Sequence, residues 1–136
     1  MSIELQRKTD AKMAHTLRIG AHEWLVDGSV AEGGDDLGPN PHDLYDASVA
    51  ACKALTLVWY ARKKGYALDD VRTEVTRDAS QERQGVYRLS TRLLISGDLT
   101  DAQVQEMQVV AGKCPVHKLM TEVRTEITTT VERGPR

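Results

Sequence analysis

Two cysteines, Cys52 and Cys114, are the side chains of this sequence best suited to covalent chemistry. A thiolate is a nucleophile, a metal ligand and a two-electron reductant, whereas a thiol sealed among aliphatic groups is inert. Cys114 stands in Gly112-Lys113-Cys114-Pro115, where a glycine able to end one helix is followed by a proline suited to open the next. A thiolate there gains from free amide groups and the positive end of a helix dipole, and Lys113 and Lys118 add charge. Cys52 falls about three turns inside a long helical pattern, beyond the dipole's reach, so its ionisation requires a cation from elsewhere in the chain. A structural role for both as small buried hydrophobes remains open on these grounds. His117 makes Cys-x-x-His with Cys114, half of a zinc site, yet no second paired motif supplies two more ligands. No metal or cofactor is therefore expected.

The helix that carries Cys52 spans 40–65. Asn40 can cap it, Pro41 is pre-set for its first position and Asp43 puts negative charge in its first turn. Arg62, Lys63 and Lys64 suit its C-terminus and Gly65 its stop. Apolar residues from Leu44 to Ala61 cover most of its circumference, which predicts a central, buried helix. Asp46, Ser48, Lys53 and Thr56 interrupt the run, so it is not a membrane span. Ala47, Ala50, Ala51 and Ala54 form a small-residue strip, from which we expect a homodimer in which this helix meets its copy.

Around it, alternation predicts strands at 3–8, 15–19 and 23–26 as an antiparallel meander, then a glycine-rich loop at 32–39. No Gly-Lys-Ser/Thr follows those glycines, and Asp35 and Asp36 would repel phosphate, so the loop is not a nucleotide cradle. Two strands at 68–77 and 86–95 follow with a polar connection. Thr100 and Gln103 then form a capping-box pattern for a helix ending at Gly112, with Val104, Met107, Val110 and Ala111 on one face. Val123, Thr125, Ile127, Thr129 and Val131 alternate as a last strand, and 134–136 is a tail. Strands grouped together, instead of alternating singly with helices, place the chain in the α+β class, as a single domain 1–136.

Eighteen basic and twenty acidic residues give a net charge of −2 with no basic stripe, which disfavours nucleic acid. The first residues, MSIELQRKTDAK, contain no apolar stretch of signal-peptide length, and a cytoplasmic location is expected. In that reducing setting two cysteines are better suited to a reactive or inert role than to a permanent staple.

GPNPHDLYDASVAAC, followed about sixty residues later by KCPVHKLM, closely resembles the OsmC/Ohr family of thiol-dependent peroxidases, named for osmotically inducible protein C and organic hydroperoxide resistance. The resemblance covers essentially the whole chain. It implies an OsmC-like fold, with antiparallel sheets wrapped around paired central helices in an intertwined homodimer and active sites at the subunit interface. It further implies that Cys52 attacks an organic hydroperoxide, that Cys114 resolves the sulfenic acid as a Cys52–Cys114 disulfide, and that an external dithiol completes an antioxidant cycle. Members of the Ohr branch of that family place a glutamate directly after the Asn-Pro, paired with an arginine from the N-terminal strands. Here that position is His42, followed by Asp43, and Arg7 is the arginine we assign to the pair, ahead of Arg18. The alternative is an OsmC-like dimer that binds or scaffolds without catalysis, having lost activation at His42.

Overall fold

The structure, a computed structural model, describes residues 2–135; Met1 and Arg136, the last residue of the expected tail, lie outside them. The chain packs as two compact units, one comprising residues 1–51 and 74–92, the other residues 52–73 and 93–136.

The first unit holds the meander. β1 (Ile3–Arg7), β2 (His15–Ile19) and β3 (His22–Val26) form an antiparallel sheet in that order. Leu5, Leu17 and Trp24 share one row, and Glu4, Arg18 and Glu23 the next. The sequence predicts this phase, because period-two alternation admits only one register that gathers the apolar side chains. Gly20, at φ +58°, supplies the positive dihedral wanted at the first position of a two-residue hairpin turn. After β3, buried Asp27 accepts backbone hydrogen bonds from Gly28, Asp35 and Leu37 and so folds the glycine-rich loop around one carboxylate. Burial alone would raise its pKa; the three amides outweigh burial and hold it below the ordinary carboxylate range.

α1 (Pro41–Lys64) begins and ends where its sequence signals fall. The Asp43 amide donates to Asn40 Oδ1 at 2.8 Å while the Asn40 amide donates to Asp43 Oδ2 at 3.0 Å, a reciprocal cap. Gly65 closes the helix at φ +71°. Burial around its circumference corrects the expectation. The buried positions are Asp46, Val49, Lys53, Leu57 and Ala61, on one face, whereas Tyr45, Leu55 and Trp59 are 48, 70 and 60 % exposed on another. The helix carries more apolar surface than one chain covers.

β4 (Ala67–Asp78) pairs with β5 (Arg88–Asp98) in a two-stranded sheet. β5 starts two residues later than predicted and runs past Ile95. Gly97 explains the extension: at φ +138° it brings its Cα so close to the Ala67 carbonyl that an added Cβ would lie 1.9 Å from the oxygen. α2 (Asp101–Ala111) opens with the predicted reciprocal cap between Thr100 and Gln103. α3 (Pro115–Thr121) follows, with Cys114 as its N-cap residue. The core of the second unit is Leu57, Ala61, Met107 and Ala111, flanked by Tyr66, Leu68, Leu93 and Ile95. Burying Leu57 and Met107 contributes about 2 kcal/mol each.

The expected last strand is absent: residues 123–131 carry no helix or strand. Val123, Ile127 and Val131 are exposed, so the alternating side chains have no face to cover. A strand without a partner ladder leaves its backbone groups to water. Among the described residues no helix is long and apolar enough to cross a membrane.

Candidate active site

Cys52 and Cys114 both belong to the second unit, and both are free. Cys114 is fully buried and Cys52 is partly exposed. What ties their neighbourhoods together is Lys53, the residue after Cys52. Its Nζ donates to the Ala111 carbonyl at 2.7 Å and meets His117 Nδ1 at 2.8 Å. Ala111 and His117 lie three residues before and three after Cys114, so the turn that carries Cys114 is anchored on the middle of α1.

The electrostatics of this anchor are unusual. Lys53 is 4 % exposed, and no carboxylate among the described residues lies within ion-pair distance of it. Burying an ammonium costs several kcal/mol unless polar groups replace its water. The Ala111 carbonyl, at the negative end of α2, is one such group and the imidazole is the other. An ammonium can only donate, so His117 accepts at Nδ1 and carries its proton on Nε2. A positive charge is thereby held beside the turn of one thiol and adjacent in sequence to the other. Among the described residues no three His, Cys, Asp or Glu side chains converge as a metal-binding group.

The remaining site candidates lie in the first unit. His42 is exposed, with Nε2 2.9 Å from Glu82 Oε1. Its ring lies edge-on to Tyr87, and Pro41, His42, Tyr45, Glu82 and Tyr87 line an open cleft of about 380 Å³. Asp43, besides its capping role, accepts from Arg77 at 2.8 Å. The Arg77 Nε donates to buried Asp46 at 2.5 Å, and the Tyr87 hydroxyl donates to the other oxygen of Asp46 at 2.7 Å. Arg77 first, and the Asn40 amide second, hold Asp43 below the ordinary carboxylate range. Burial, and then the bond to Asp46, raises the Tyr87 phenol. The carboxylates at the start of α1 thus have an arginine partner from β4. Arg7 sits exposed at the end of β1 opposite His15, and Arg18 is engaged with Glu23 at 2.8 Å on the sheet surface.

Sequence reasoning missed Lys53 and Arg77. For Lys53 a signal existed: it stands in the series Val49, Lys53, Leu57, Ala61, each four residues apart on the buried face, where a lone charge must find polar partners. For Arg77 there was none, since it occupies an ordinary polar position of a half-buried strand.

Solved structures of similar fold agree on the architecture. An OsmC-like protein from Mycoplasma pneumoniae superposes with a TM-score of 0.71 at 18 % identity, covering 90 % of this chain and 87 % of its own. The organic hydroperoxide resistance protein OhrB of Bacillus subtilis gives 0.58 at 21 %, covering 90 and 92 %. An organic hydroperoxide resistance protein OsmC from Legionella pneumophila gives 0.59 at 19 %, covering 90 % of both chains. No curated protein matches the sequence closely enough to count as a relative. The profile of the family described as OsmC-like protein matches residues 33–130. The fold is thus the α+β arrangement of the OsmC and Ohr proteins, and this chain belongs to the OsmC-like family.

Proposed function

We propose that this protein is a thiol peroxidase that reduces organic hydroperoxides to alcohols, acting as a homodimer with an external dithiol as reductant. In the first step the Cys52 thiolate attacks the outer oxygen of ROOH. The O–O bond breaks, the sulfur is oxidised by two electrons to a sulfenic acid, and the departing alkoxide takes a proton to become ROH. In the second, the Cys114 thiol displaces hydroxide from that sulfur; the S–O bond breaks, an S–S bond forms, and the thiol proton leaves with the hydroxide as water. A dithiol then reduces the disulfide. The observation that carries this reading is the anchoring by Lys53 of the Cys114 turn on α1 next to Cys52.

The open ridge of Tyr45, Leu55 and Trp59 supports the homodimer, because a second copy of α1 would cover it. A sedimentation mass of one chain at micromolar concentration would overturn the dimer. Arg7, His42 and Asp43 are assigned to thiol activation by family position. The pairing of His42 with Glu82 favours the second reading, an idle scaffold dimer, since an imidazole already occupied cannot take the part of the family glutamate. Peroxide consumption with a dithiol, measured on the wild type and on Cys52→Ser, separates them. Turnover lost in the variant supports the peroxidase, and equal near-zero rates overturn it.

A further inference from the structure

Lys53 is a buried charge for which the two chemical steps above name no task. Its surroundings give it one. The two acceptors it holds bracket Cys114 at equal intervals, and they come from two helices: Ala111 ends α2, and His117 lies in the first turn of α3. Gly112, Lys113 and Cys114 are all that joins the two helices. No side chain caps α3, and the Cys114 thiol makes no capping hydrogen bond. Two charge-assisted bonds from one ammonium therefore fix the turn, and with it the thiol, on α1.

We propose that Lys53 is the positioning residue for resolution: it holds the Cys114 turn against α1 so that the second thiol reaches an oxidised Cys52. This rests on the peroxidase reading. It assigns Lys53 to the step that forms the disulfide and gives it no contact with the hydroperoxide. Resolution competes with further oxidation of the sulfenic acid by a second peroxide, so the clamp also decides how often the enzyme is lost to the sulfinic state. The His117 imidazole has a defined part, since only its unprotonated Nδ1 can accept from the ammonium.

The test oxidises the reduced full chain with one equivalent of tert-butyl hydroperoxide. It follows sulfenic acid by dimedone trapping and, in a parallel sample without dimedone, disulfide by loss of the second free thiol, in the wild type, Lys53→Met, Lys53→Arg and His117→Ala. In Lys53→Met the sulfenic acid is expected to form within about twofold of the wild-type rate, while the disulfide forms at least about tenfold more slowly, as small misplacements of reacting groups do. Dimedone adduct then accumulates, and a second equivalent of hydroperoxide carries the unresolved sulfenic acid on to sulfinic acid. Lys53→Arg, which keeps a donor and the charge, restores part of the second rate, and His117→Ala, which removes one of two acceptors, gives a smaller slowing. If Lys53→Met does not fold by circular dichroism, the arginine and alanine variants carry the same comparison. Disulfide formation at the wild-type rate in the folded variants, after normal sulfenate formation, overturns the role of Lys53 and leaves the peroxidase standing. A wild type whose Cys52 is not oxidised overturns both.

Discussion

Arg77 donates to the Asp43 carboxylate at 2.8 Å, so the acid in the first turn of α1 closes a backbone cap and holds β4 at the same time. Its proton is released more readily in the folded chain than in the unfolded one. A carboxylate whose folded pKa is lowered adds stability above the unfolded value, near pH 4, and loses it as the pH falls through the lowered folded value. Asp43→Asn is therefore expected to lower the melting temperature at pH 7 and to change it much less near pH 2. Thermal melts across that range check it; an equal loss at both ends contradicts the assignment.

Glu106 takes hydroxyl hydrogens from both Tyr60, at 2.7 Å, and Tyr66, at 2.5 Å. These bonds, Tyr66 first, hold the carboxylate below its ordinary range, and the hydrogen bond to Glu106, followed by burial, pushes Tyr60 up to about 12. A phenol with a raised folded pKa stabilises the fold below its unfolded pKa, about 10, and that stabilisation disappears as the pH climbs through the folded value. In an ultraviolet titration three of the four tyrosines thus ionise late, Tyr87 beside Asp46 and the pair held by Glu106. With Glu106→Gln that pair is expected to move back toward about 10.

Leu57 is 2 % exposed at the centre of the second unit's core, packed with Met107. Leu57→Ala is expected to cost about 3 kcal/mol, from lost transfer energy and the cavity left behind. The cost at Leu55, 70 % exposed in one chain, distinguishes the states of the protein. Denaturant unfolding gives a small loss for Leu55→Ala if the chain is alone and a core-sized, concentration-dependent loss if a second copy covers it.

Replacing Cys114 by serine isolates the first chemical step. One equivalent of hydroperoxide should leave the Cys114→Ser chain heavier by one oxygen atom in a mass spectrum, where the wild type instead loses two hydrogens. A variant that gains no oxygen removes Cys52 from the reaction.

Local signals were legible because they act over one turn. Thr100 with Gln103, Asn40 with Asp43, and Gly65 each specify an end of a helix through bonds between residues three or four apart, and each is seen where its residue types place it. The meander was legible for the same reason, since neighbouring strands joined by a short turn have few registers. Lys53 was read only as a polar break in an apolar run, because its acceptors are supplied by α2 and α3 from far along the chain. Arg77 was passed over because nothing in an alternating strand tells a solvated arginine from one aimed at two aspartates. The strand expected at 123–131 failed in the opposite way: its pattern is strong, but pattern states only what a segment could pair with. β5 runs on past Ile95 because Gly97 permits a close approach of the Ala67 backbone, which an alternating pattern that ends at Ile95 does not announce.

The bare row of Val123, Ile127 and Val131 has a practical side for anyone handling the purified material. A greasy, unladdered ribbon is easily threaded into a protease and sticks readily to other ribbons. Storage life should hinge on this stretch, with dilute stocks nicked there first and crowded ones clumping through it.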